Sequence, residues 1–166
     1  MYAAGAAFVK RPGRAMLRED LNDALKQAKR SGDSVTTSTL RLVLAALKDR
    51  DIAARNAGAS EGIGDTEIRR MLAKLVQQSR EAAAAYEAEG RTDLAAKERR
   101  EIAVLQRFLP RALDDAETRA AVDEAIRAAG ARGIKDVGPV MRHLHAAYPG
   151  RMDFSHASAI AKDKLS

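Results

Sequence analysis

The sequence predicts an all-α protein, and three observations predict it. From Leu17 onward apolar residues recur at spacings of three and four. No stretch alternates with the period of two that a strand requires, and glycines and prolines punctuate the periodic segments. The 166 residues are enough for one good core, or for a medium unit with a small one beside it. We expect an N-terminal module of four helices over 16–112 and a C-terminal module of three short helices over 113–166, behind a disordered extension over 1–15.

The first helix is expected over 17–30, with Leu17, Leu21, Leu25 and Ala28 on one face and Gly32 beyond its end. The second should start after the hydroxyl cluster Thr36, Thr37, Ser38 and Thr39, with Leu40, Val43, Leu44 and Leu47 as its stripe. A glycine-rich loop over 58–64 follows, and Asp65 is placed to cap a third helix ending at Gly90. That helix carries Ile68, Met71, Leu72, Leu75 and Tyr86 at helical spacing. The fourth spans 92–108, presents Leu94, Ile102, Leu105 and Leu109, and stops at Pro110. The last three are expected over 115–129, 136–147 and 154–165, separated by Gly130, Gly133, Pro149 and Gly150. A unit of about fifty residues has a marginal core, so this one should lean on the first module or on a partner.

Composition narrows the chemistry. No run approaches the roughly 18 apolar residues of a membrane-spanning helix, so the chain reads as soluble and without a membrane partner. Cysteine is absent, which removes disulfides, thiolate nucleophiles and cysteine-held zinc or iron–sulfur centres, and suits a cytoplasmic location. Lys and Arg outnumber Asp and Glu by 29 to 23, a mildly basic balance that suits an occasional polyanionic partner. Without Lys10, Arg11 and Arg14 of the extension the excess falls from +6 to +3. Those basic residues follow the weakly apolar stretch, the wrong order for a secretory signal, and Met16 looks the better start.

No catalytic, cofactor or metal site emerges from the motifs. His143 and His145 are two apart on a helix and point roughly 200° away from each other, so they cannot share a metal. His156 has only Asp153 within one turn. Asp153, Ser155, His156 and Ser158 hold the letters of a catalytic triad, but they crowd one helix start, where Asp and Ser serve as caps. Phosphate loops and dinucleotide fingerprints are absent. Glu98 and Glu101 are expected to face inward and to pair with Arg41, Lys48 or Arg80 across the bundle. With three Phe and three Tyr, a stacking platform for single-stranded nucleic acid is not expected, so any RNA contact should read backbone and shape.

The most specific element is Gly133-Ile134-Lys135-Asp136-Val137-Gly138-Pro139-Val140-Met141, a loop feeding a helix with Asp136 as its natural N-cap. A helix N-terminus beside Lys135, with Arg132 before it and Arg142 after, has the ingredients of a phosphate-binding corner. A well-capped turn that binds nothing is the equally open alternative.

Gln78-Ser79-Arg80-Glu81, Tyr86, Gly90-Arg91, Leu94, Glu98, Glu101 and Leu109-Pro110 resemble the helical N-terminal pattern of YqeY-like proteins. Lys135 through Met141, Gly150-Arg151-Met152-Asp153 and the final helix resemble the module shared with the tail of the GatB subunit of the transfer-RNA amidotransferase. The chain departs from that pattern at Phe154-Ser155, where a glycine and a lysine are commoner. The resemblance implies a cytoplasmic accessory protein whose tail meets transfer RNA. It also implies an association with carbon–nitrogen ligase activity that uses glutamine as nitrogen donor, for which no residues are apparent. The resulting expectation is a binding module for transfer RNA or an amidotransferase or synthetase complex, using Arg132, Lys135, Asp136, Gly138, Arg142 and Arg151. A protein–protein adaptor that binds no RNA is the alternative, and the oligomeric state is left open.

Overall fold

The computed structural model describes residues 17–166, so the expectation for 1–15 lies outside the described residues. The described chain is all helical, as expected: α1 (Leu17–Ser31), α2 (Ser34–Asn56), α3 (Asp65–Ala88), α4 (Thr92–Gln106), α5 (Asp115–Ala129), α6 (Val137–Ala147) and α7 (Phe154–Lys164), with one 3-10 turn at Ile134–Asp136 before α6.

Two hydrophobic clusters follow the chain order. The first joins Leu17 and Leu21 of α1, Leu40, Val43 and Leu47 of α2, Ile68, Met71, Leu72 and Val76 of α3, and Val104 and Leu105 of α4. The second is built from smaller residues, with Ala121, Val122 and Ala125 of α5, Val140 and Leu144 of α6, and Ala157, Ile160 and Ala161 of α7 around Met152 and Phe154. Each fully buried leucine contributes roughly 2 kcal/mol and each alanine far less, so the second cluster is the weaker one.

Several helix starts differ from the expected ones. Helix α2 begins at Ser34, before the hydroxyl cluster, because Asp33 is its cap: the Asp33 carboxylate accepts the Thr36 N–H at 3.0 Å and the Thr36 hydroxyl at 2.7 Å. Thr36 and Thr39 are thereby buried in the first turns. At α3 the cap position belongs to Gly64, and Asp65 is the first helical residue, accepting the Leu17 N–H at 3.3 Å from the start of α1. Helix α6 is one residue shorter than expected, because Asp136 belongs to the 3-10 turn.

The expected cross-bundle ion pairs do not form. Glu101 faces Lys97 on its own helix at 3.9 Å, and burial together with Glu98 raises its carboxyl above the ordinary value. Arg41 and Lys48 are exposed and form no ion pair among the described residues. Arg80 reaches the other unit, donating to the Met152 carbonyl at 2.8 Å. Burial lowers its pKa, with Asp153 opposing.

A charged knot locks the first unit instead. Arg18 of α1 holds the Asp51 carboxylate of α2 with both terminal nitrogens and also donates to the Ile63 carbonyl at 2.9 Å. Asp51 in turn accepts the Ile63 N–H at 3.0 Å, which ties the 57–64 loop to both helices. Gly62 sits at φ +78 against this knot, and a Cβ there would overlap the Asp51 carboxylate.

The two units meet along the segment between α6 and α7. The Gly150 backbone lies so close to α3 that a Cβ would stand 3.0 Å from the Ala73 methyl and 3.0 Å from a Leu109 methyl. Gln77 of α3 accepts the Phe154 N–H at 3.4 Å, and within the second unit the Leu113 N–H donates to the Arg151 carbonyl at 2.6 Å.

Replacing Asp51 by Ala leaves Arg18 and the Ile63 amide without their partner. It is expected to lower stability by about 2–3 kcal/mol, read from urea denaturation; a loss below about 0.5 kcal/mol would show that the knot matters little. At the start of α5, Arg111 grips the Glu117 carboxylate and the Asp114 N–H completes a capping box, which lowers the Glu117 pKa from 4.5 to about 2. The unfolded chain therefore binds more protons than the folded one in that window. The stabilisation is present above pH 4.5 and lost as pH falls through about 2, and Glu117→Gln should make the acid limb of the stability profile shallower.

Candidate nucleic-acid interface

The corner at the start of α6 grows out of the end of α5. Gly130 closes α5 in the left-handed region at φ 62, which turns the chain toward the 3-10 turn. The Asp136 carboxylate folds back over this turn, accepting the Arg132 N–H at 2.9 Å and the Gly133 N–H at 3.3 Å, and makes no bond to the first amides of α6. Asp136 thus secures the loop before the helix. The Val137 N–H is taken by the Ile134 carbonyl, so the corner holds fewer open backbone donors than a bare helix start would. Pro139 occupies the third helical position, where a missing N–H costs nothing.

What the corner does present is side-chain charge. Arg132, Lys135 and Arg142 are exposed and form no ion pair among the described residues. Arg142 leans over the first turn, its Nη1 3.7 Å from the point that a Cβ on Gly138 would occupy. A Cβ at 138 would meet the guanidinium only in ordinary van der Waals contact. The one carboxylate within the 132–142 stretch is Asp136, already committed to the Arg132 and Gly133 amides.

Arg151 stands apart from this group. It follows the C-terminus of α6, roughly 16 Å of helix away from Lys135 by helical rise. There its Nε donates to the Arg111 carbonyl at 3.0 Å, and its guanidinium lies 6.0 Å from the Tyr148 ring centroid. The structure thus brings Arg132, Lys135, Asp136, Gly138 and Arg142 together and leaves Arg151 at the opposite end.

The histidines resolve into separate settings. His143 is exposed, and His145 stacks on Phe154 with ring centroids 3.8 Å apart. His156, whose neighbour along the sequence was Asp153, meets Asp115 of α5 at 2.8 Å instead. Asp153 caps α7, accepting the Ser155 and His156 N–H groups. Among the described residues no group of three His, Asp or Glu side chains is placed to hold a metal ion, and no helix is long and apolar enough to cross a membrane. Sequence reasoning missed the exposure of Ile134, 57% open beside Lys135. A lone apolar residue in a loop carries no period that would reveal its direction.

A family model described as Yqey-like protein matches residues 18–165. The chain belongs to the YqeY-like family. No curated protein matches this YqeY-like chain.

Changing Asp136 to Ala in the YqeY-like chain should free the Arg132 and Gly133 amides, raise their hydrogen exchange and cost about 1 kcal/mol. Asp136→Asn, which keeps an acceptor oxygen, should retain most of the protection. Unchanged exchange at both amides in the alanine variant would show that the carboxylate does not order the turn.

Proposed function

We propose that this YqeY-like chain is an RNA-binding accessory protein that engages transfer RNA, or an amidotransferase or synthetase complex handling it, through the corner at the start of α6. The observation that carries this reading is the group of three exposed cations around one helix start, Arg132, Lys135 and Arg142, which form no ion pair among the described residues. Unpaired cations beside the positive end of a helix dipole suit phosphate oxygens. Asp136 accepts from the Arg132 and Gly133 amides, which leaves the three cationic side chains without an ion pair to it. The resemblance of this segment to the tail of an amidotransferase subunit that meets transfer RNA points the same way.

The contacts would be to backbone and shape, since the corner offers guanidinium and ammonium groups and no aromatic platform. Such binding weakens steeply with salt. Labelled bulk transfer RNA, titrated over a salt series with the full chain and with a Lys135→Glu, Arg142→Glu variant, tests it. Affinity should fall with salt in the wild type. In the still-folded variant it should drop strongly, and the slope should fall by about one for each phosphate contact removed. No binding at low salt, or equal binding by the variant, would overturn the proposal.

A further inference from the structure

Helix α2 carries a second apolar stripe turned away from the core. Its buried side holds Thr36, Leu40, Val43, Leu47 and Asp51. On the outward side Leu42 is 67% exposed and Ile52 47% exposed, two of the three large exposed hydrophobic side chains among the described residues. Leu42, Ala45, Asp49 and Ile52 follow spacings of three, four and three, the seam pattern of a paired helix. Arg41, Lys48 and Arg55 repeat every seven residues along one edge of this stripe, while Ala46 and Ala53 form the other edge. Arg41 and Lys48 have no ion pair among the described residues, and Arg55 is tethered to the Ser60 carbonyl at 3.2 Å.

We propose that α2 is a docking helix for an acidic amphipathic helix of a partner protein. That helix lays apolar seam residues on Leu42, Ala45 and Ile52, runs glutamates or aspartates along Arg41 and Lys48, and sets one cationic side chain opposite Asp49. Charge complementarity selects this occupant. A second copy docked antiparallel sets one cationic row against the other. Docked parallel, it brings Asp49 against Asp49 in the seam and offers the cations only Ala46 and Ala53. RNA would be drawn to the cations, but it leaves the apolar seam unused and meets Asp49 at its centre. The stripe is independent of the α6 corner, so the RNA reading and this one stand or fall separately.

The test uses the full chain and a labelled synthetic helix of three heptads, with leucine at the seam, one lysine at the middle seam position and glutamate at both flanks. A control helix carries lysine at the flanks. The acidic helix should bind with an affinity that falls with salt, and the lysine-flanked helix should not. Leu42→Ser with Ile52→Ser, both surface changes whose folding circular dichroism can check, should weaken binding by about tenfold or more. Arg41→Glu with Lys48→Glu should reverse the preference between the two peptides. Failure of the acidic helix to bind, or equal binding of both peptides, would overturn the proposal. A wild-type dimer that Leu42→Ser dissolves would give the stripe to a second copy, and transfer-RNA affinity lost in the Leu42→Ser, Ile52→Ser variant would give it to RNA.

Discussion

The segment from Gly150 to Phe154 lies on α3, and the orientation of the whole C-terminal half depends on that contact. Three helices of 15, 11 and 11 residues around an alanine-rich core bury little apolar surface, so they need a neighbour. The neighbour is α3, approached where Gly150 has no side chain to hold the backbones apart. Arg80 makes the contact hard to give up. Its guanidinium is partly buried and has the Met152 carbonyl as its acceptor. Pulling the segment away would remove that bond. Gln77 and the Leu113–Arg151 backbone bond fix the same segment from two further directions.

The anchor lies at one end of α6 and the cationic corner at the other. Arg151 holds the C-terminal end through the Arg111 carbonyl, next to the Gly150 contact on α3, while the turn at Ile134–Asp136 lies at the far end. Such an arrangement presents Arg132, Lys135 and Arg142 in a fixed direction without using any of them to hold the fold. Arg151 does the reverse: its side chain is committed to Arg111 and Tyr148, which leaves it less free to meet a ligand.

The helical periods were legible because Leu, Val and Ile recur at three and four, and burial follows those stripes in α1, α2 and α3. What the sequence left hidden was mostly polar and long-range. Asp33 and the hydroxyl cluster at 36–39 were both competent caps, and only the geometry of the turn after Gly32 chose Asp33. Nothing in the local sequence marks Asp51, because its burial depends on Arg18, 33 residues away, and on a loop residue. Arg80 was placed on the right helix but paired with the wrong partner, because its true acceptor is a carbonyl 72 residues on. At the candidate corner the residue types were readable, whereas the turning of Asp136 toward Arg132 and Gly133 followed from a 3-10 turn that no hydrophobic period marks.

The positive charge also falls into kinds that composition merges. Arg18, Arg111 and Arg119 are each tied to a carboxylate, and Arg80 and Arg151 to backbone carbonyls, so these contribute to the fold. Arg41 and Lys48 on α2, and Arg132, Lys135 and Arg142 around the α6 start, have no such partner among the described residues. A cation left unpaired on a folded surface keeps its hydration and its reach, and it adds little to stability. Two such groups differ in what surrounds them. The α6 group flanks a 3-10 turn at a helix start, a setting suited to compact anions, whereas the α2 pair borders an apolar stripe. A modest net charge is therefore compatible with two dissimilar surfaces, because a small excess over the whole chain says nothing of how cations are grouped locally.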